Sequence, residues 1–130
     1  MVNFDYTWNG VNNTSLVWFN EGSLHLAGPV VVVEGQFDAL RVAKVWPKVV
    51  ATLTARPTPA KLDRLLQSSA LIHLPDTDQA GQQSKAVYQR FCALNSLSYY
   101  AIDLPSEVKD PGDCHPDFLR SAIQEVVDSL

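Results

Sequence analysis

Cysteine is scarce in this chain. Cys92 and Cys114 are the only two, too few for a disulfide framework. There is no C-x-x-C, and His25, His73 and His115 are the only histidines, so the spacing of a four-ligand zinc site is missing. Cys92 reads as a buried free thiol and the compartment as reducing, with a cytoplasmic location expected. Long apolar runs are absent too. The longest, Val30 to Val33 behind Pro29, is far short of the roughly 20 residues of a membrane-spanning helix, so no membrane partner is expected. The first ten residues, MVNFDYTWNG, have neither the basic nor the apolar region of a signal peptide. Positive charge is not in excess: 10 Lys and Arg face 14 Asp and Glu, a net charge of -4. That is not the footprint of a domain holding nucleic acid by bulk electrostatics.

What is present is an ordinary globular composition, 46% hydrophobic and 18% charged over 130 residues. That is one domain's worth of chain, able to bury roughly 70% of its unfolded surface. The charges are unevenly placed. Six bases (Arg41, Lys44, Lys48, Arg56, Lys61, Arg64) and one acid, Asp63, lie between 41 and 64, whereas seven acids and two bases lie between 103 and 130. Both stretches read equally as solvated helix faces or as a basic flank beside an acidic centre. An acidic centre would need a cation before it met a phosphate.

Residues 1–28 carry Asn, Gly and aromatics (Phe4, Tyr6, Trp8, Trp18, Phe19) and read as a lead-in of short strands or an arm. From Pro29 the pattern sharpens. Val30 to Val33 is continuous and β-branched, as in a strand buried on both faces. Asp38 to Trp46 has helical spacing and stops at Pro47. Val49 to Leu53 reads as a second strand, and Thr58-Pro59 as the start of a helix to about Gln67 with Leu62, Leu65 and Leu66 inward. Ala70 to Leu74 is a third strand. Ala80 to Asn95 is a helix with Ala86, Val87, Phe91 and Leu94 inward, and Ser98 to Ile102 is a fourth strand. A final helix opens at Pro116, burying Phe118, Leu119, Ile123, Val126 and Val127. Strand and helix alternate, which predicts an α/β fold: about four mainly parallel strands with helices on both faces.

In such sheets the ligand site lies outside the carboxyl ends of the strands. Strand one ends in Glu34-Gly35, with Asp38 one turn on. Strand three ends in Pro75-Asp76-Thr77-Asp78, followed by Ala80-Gly81. Strand four runs into Lys109-Asp110-Pro111-Gly112-Asp113. Each feature alone has a plain structural use: Asp76 or Asp78 as a helix cap, Gly35 and Gly81 in turns, Lys109 as surface charge. Together they bring carboxylates to one sheet edge, where like charges repel unless a cation or a proton intervenes. Oxygen ligands in small number, completed by water and phosphate, suit Mg²⁺ or Mn²⁺.

VVVVEGQFDAL, LPDTDQAG and KDPGD, in that order and in a βα alternation, resemble the Toprim domain shared by bacterial-type DNA primases, topoisomerases and several nucleases. The version is similar to that of bacterial and phage primases, and the resemblance covers about residues 29–125. It implies a lead-in over 1–28 and a Toprim domain over 29–130. It implies Glu34 as acid/base or metal ligand and Asp76 and Asp78 as holders of Mg²⁺ or Mn²⁺. Asp38 would support the site, and Lys109, Asp110 and Asp113 would form a third motif at the metal–nucleotide end, Asp110 among the ligands. Gly35 and Gly81 would shape the turns, and Lys109 and Arg56 could meet phosphates. The glycine turn usual after the second strand is replaced here by Thr52, Thr54 and Arg56, and Gln79 stands where a base often follows the second motif.

The implied function is metal-dependent nucleotidyl transfer, the catalytic portion of a DNA primase making RNA primers. Its partners would be single-stranded DNA, nucleoside triphosphates and further replication components such as a helicase or a zinc-binding module. A stand-alone nuclease is the first alternative and a non-enzymatic interaction module, with Trp8, Trp18 and Phe19 as its surface or as core cover, the second. Topoisomerase chemistry needs a nucleophilic tyrosine in a loop, and Tyr88, Tyr99 and Tyr100 fall within predicted elements.

Overall fold

The computed structural model describes residues 17–54 and 56–130; Phe4, Tyr6 and Trp8 lie outside them. Four strands, β1 (Val30–Val33), β2 (Val49–Ala51), β3 (Ala70–His73) and β4 (Ser98–Ala101), form one sheet. Its order is β2-β1-β3-β4, and every pairing is parallel. The connecting helices are α1 (Gln36–Ala43), α2 (Pro59–Arg64), α3 (Gln79–Leu94) and α4 (Pro116–Ser129). The expected α/β fold is therefore present.

The four valines of β1 divide their burial between two cores. Val31 and Val33 pack with Ala39 and Val42 of α1 and Leu119 and Ile123 of α4. Val30 and Val32 pack with Leu65, Tyr88, Phe91 and Cys92 on the opposite face. Alternate residues of a strand point to opposite faces, so a strand covered on both sides needs apolar residues throughout. Each fully buried valine contributes about 1.5–3 kcal/mol.

Helix starts follow local chemistry. Thr58 caps α2 by accepting the Lys61 backbone N–H at 3.3 Å, with Pro59 at the first helical position. Asp78 caps α3 through the Gly81 N–H at 2.7 Å. Some inward faces differ from expectation. On α3 the buried residues are Gly81, Ser84, Tyr88, Phe91 and Cys92, while Ala86 is exposed and Leu94 is 73% exposed. Small and polar residues complete this stripe, so counting only apolar residues rotates the face. Leu66 and Phe118 are likewise exposed.

Residues 18–24 pack as part of this body. Phe19 bridges Ala51 on the outer edge of β2, and Asn20 Nδ2 and Ser23 Oγ both donate to the Val49 carbonyl. Trp18 and Phe19 are buried in the two cores, which makes them core cover rather than a docking surface. Cys92 and Cys114 are free, buried thiols. No helix among the described residues is long and apolar enough to cross a membrane.

Candidate active site

The strand order decides where a site can form. From β1 the chain turns to α1 on one face of the sheet, and from β3 it turns to α3 on the other. β1 and β3 are neighbours, so their carboxyl ends diverge and leave a crevice at the topological switch point. Glu34 follows β1 directly and Asp76 follows β3 by three residues. Their cleft, about 480 Å³, is lined by Glu34, Gly35, Asp38, Asp76, Asp78, Lys109 and Asp110, with Phe37, Leu53 and Thr54.

The cleft holds its carboxylates under electrostatic stress. Burial, together with the charges of Glu34, Asp110 and Asp78, pushes the Asp76 carboxyl up to about 7. Glu34 is also raised, first by burial and then by the charge of Asp78. Two such carboxyls sharing one pocket do not both ionise readily without a cation. Glu34 Oε1 and Asp76 Oδ1 are buried and have no hydrogen-bond partner. A buried acceptor left unsatisfied costs about 1–3 kcal/mol, and each of these two is available to a ligand.

The remaining acids are partly committed. Asp38 uses both oxygens, Oδ1 accepting the Gly112 N–H at 2.8 Å and Oδ2 the Gly35 N–H at 3.2 Å. Asp78 Oδ1 caps α3, and Asp110 Oδ1 accepts the Asp113 N–H at 3.2 Å, which leaves the second oxygen of each. Asp113 itself contributes a backbone donor to that turn, and its side chain does not line the cleft. Gly81 lets α3 press against the turn 76–78, since a Cβ there would strike the Asp76 backbone carbonyl. The loop 109–113, the third to border the cleft, is tied to the turn 76–78 by Thr77, whose N–H donates to the Lys109 carbonyl at 2.9 Å and whose Oγ1 donates to the Val108 carbonyl at 2.8 Å.

The resemblance implies metal-holding roles for Glu34, Asp76 and Asp78. They line one cleft, but among the described residues no three His, Cys, Asp or Glu side chains are grouped closely enough to hold a metal. Mutual repulsion and the cap duty of Asp78 account for the open arrangement. The donor set still fits a hard divalent cation. It is all oxygen, two of its buried oxygens lack partners, and Mg²⁺ characteristically takes one or two carboxylates plus water and phosphate.

Arg56 does not join this cleft; it lines a smaller hollow with Ala80, Gln83, Ser84 and Val87. The basic stretch is also less available than its sequence suggests. Lys48 and Lys61 are buried, donating to the Gly28 and Thr52 carbonyls. Arg64 pairs with Glu21 at 2.7 Å, and Arg41 donates to the Gly112 carbonyl at 3.2 Å. Sequence reasoning missed Phe37 and Leu53 as lining residues. Leu53 sits in the left-handed region at φ 63, which no sequence signal announces.

The family model described as Toprim-like matches residues 31–115. No curated protein sequence matches. Among solved structures, a DNA primase domain from Pseudomonas aeruginosa is similar with TM-score 0.70 and 22% identity, over 89% of this chain and 40% of that one. The zinc-binding and RNA polymerase domains of the Aquifex aeolicus primase give TM-score 0.63 and 27% identity, over 78% of this chain and 26% of that one. The primase fragment of the bacteriophage T7 primase-helicase gives 0.60 and 21%, over 83% and 47%. The chain thus spans less than half the length of each of these structures.

Proposed function

We propose a function from one premise: the chain belongs to the Toprim-like family. It is the catalytic portion of a DNA primase and performs metal-dependent nucleotidyl transfer, joining nucleotides into RNA primers on single-stranded DNA. The observation that carries this reading is the pair of unpartnered buried oxygens, Glu34 Oε1 and Asp76 Oδ1, in one cleft with Asp78, Asp110 and Lys109.

Glu34 and Asp76, with the second oxygens of Asp78 and Asp110, would hold Mg²⁺ or Mn²⁺. Such an ion supplies charge neutralisation and in-line alignment of phosphoryl oxygens. Lys109 supplies the one positive side chain that lines the cleft among the described residues and is suited to a triphosphate. Glu34, where it does not ligate the ion, stands in the same cleft to accept the proton of an attacking 3′-hydroxyl. Asp38 holds the loop of Gly112 in place, each of its oxygens accepting a backbone N–H.

Most of the basic stretch is engaged internally, so this chain offers few side chains to neutralise phosphates and binds single-stranded DNA weakly by itself. Further primase domains, a zinc-binding module and a helicase are the partners that would supply template contact.

The test uses one labelled single-stranded DNA with Mg²⁺, with and without nucleoside triphosphates, and with and without an upstream primase subdomain. Primer synthesis that requires triphosphates and the added subdomain, and that is lost in Glu34→Gln and in Asp76→Asn, supports the reading. DNA cleavage with metal alone, lost in Glu34→Gln, replaces it with a nuclease. Inertness throughout, with metal binding intact, replaces it with an interaction module.

A further inference from the structure

We infer that Phe37 and Leu53 form an apolar subsite in the carboxylate cleft that holds the nucleobase of a bound nucleoside triphosphate. This rests on the nucleotidyl-transfer reading and names how the nucleotide is gripped.

Phe37 stands at the second position of α1, with Asp38 and Ala39 beside it buried. Its own side chain is 73% exposed, whereas Trp18, Phe19 and Phe91 are buried. It belongs to neither apolar core and instead lines the cleft. Leu53, two residues past the end of β2, packs against the α1-side core and also lines this cleft. Its backbone is left-handed at φ 63, a conformation that side-chain-bearing residues rarely adopt. It is held there by its N–H donating to the Glu34 carbonyl at 2.8 Å. Strain retained at a cleft is a feature of binding and catalytic sites, and here it presents an aliphatic side chain beside the acids.

Charge explains why an uncharged contact is needed. Among the described residues, five acids, Glu34, Asp38, Asp76, Asp78 and Asp110, share the cleft with one base, Lys109. A polyphosphate is repelled by this lining until cations intervene, and Lys109 is its direct side-chain contact. The base is the flat, uncharged end of a nucleotide, and an exposed phenyl ring offers it a stacking face. The cleft volume of about 480 Å³ exceeds the needs of a hydrated ion and falls within the roughly 300–1,000 Å³ of small-molecule sites.

Calorimetric titration with ATP, inorganic tripolyphosphate and a short oligodeoxythymidylate, each with Mg²⁺, tests the subsite. Wild type is expected to bind ATP about tenfold or more tightly than tripolyphosphate, the scale of one aromatic stack. Phe37→Ala should bring ATP to the tripolyphosphate level and leave tripolyphosphate unchanged, which also shows that the fold and phosphate site are intact. Phe37→Trp should retain the ATP preference. Equal affinities in wild type, or an ATP preference that survives Phe37→Ala, overturn the subsite while leaving the metal–phosphate reading in place. Loss of oligonucleotide binding alone in Phe37→Ala overturns it in favour of a template base. Failure of both ATP and tripolyphosphate to bind wild type removes the subsite and the nucleotidyl-transfer reading together.

Discussion

Asp38 reaches across 74 residues of chain to accept the backbone N–H of Gly112 at 2.8 Å. One turn along α1, Arg41 Nε donates to the carbonyl of that same Gly112 at 3.2 Å. A single residue of the third loop is thus held through both of its backbone polar groups by one helix. With Oδ2 on the Gly35 N–H, Asp38 joins the loop that carries Asp110 to the turn that carries Glu34. Burial raises its carboxyl to about 6, the Gly112 N–H opposing that rise.

Asp38→Ala should lower unfolding stability by about 2–3 kcal/mol, because two backbone donors lose a charged acceptor. Amide exchange should speed up first in residues 109–113 and only later in the sheet. Equal acceleration everywhere would show that the contact is not a local tether.

Gly112→Ala should weaken Mg²⁺ binding about tenfold with a small change in melting temperature. A Cβ there would stand 2.8 Å from Asp38 Oδ1 and 3.2 Å from Asp110 Oδ1, displacing the loop but not the cores. Titration calorimetry and thermal melting of the same samples separate the two effects.

Mg²⁺ should raise the melting temperature of wild type, since ligand at 100 times its dissociation constant adds about 2.7 kcal/mol. Asp76→Asn with Asp78→Asn should abolish the increment and leave the metal-free protein at least as stable. Asparagine keeps the cap on α3 and removes the repulsion. A double variant that responds like wild type would place the ion elsewhere.

Asp76 predicts a pH dependence with a definite sign. Its carboxyl titrates near 7 in the fold, against an ordinary value of 3.8. The folded chain therefore holds more protons than the unfolded chain between about pH 4 and 7. The contribution of Asp76 to stability is greatest below pH 4 and falls as pH rises through that window. Buried His73 is depressed to about 3 by desolvation and acts oppositely, losing stability as pH falls below 6.5. The difference between wild type and Asp76→Asn cancels the histidine. Metal-free urea midpoints at pH 5 and 7.5 should show the variant gaining on wild type at the higher pH.

Lys61→Met should destabilise by about 1–3 kcal/mol. The ammonium is buried, donates to the Thr52 carbonyl and lies 4.8 Å from the Trp18 ring centroid. A melting temperature within a degree of wild type would show that the buried charge adds nothing.

The alternation of elements was legible in the sequence because its signals are local. The valines of β1 announce two-sided burial, Thr58-Pro59 marks a helix start, and Pro47 follows soon after the end of α1. The cleft acids were legible for a related reason. Parallel strands all end on one edge, so residues written just after a strand share that edge whatever the strand order.

Tertiary structure alone decided what each group does there. The adjacency of β1 and β3, which opens the crevice between Glu34 and Asp76, depends on the path of the chain over the sheet. Asp38 ties the loop of Gly112 to α1 because Gly112 lies across from it, 74 positions away. Arg41, Lys48, Lys61 and Arg64 read as a basic flank, yet each meets an acceptor brought by packing. Leu94 reads as core but faces solvent, while Ser84 is buried with its Oγ 3.5 Å from His73 Nε2 of β3. Composition and spacing record what a residue can bond to; which partner it meets is set by contacts distant in sequence, and those exist only once the two cores close on the sheet.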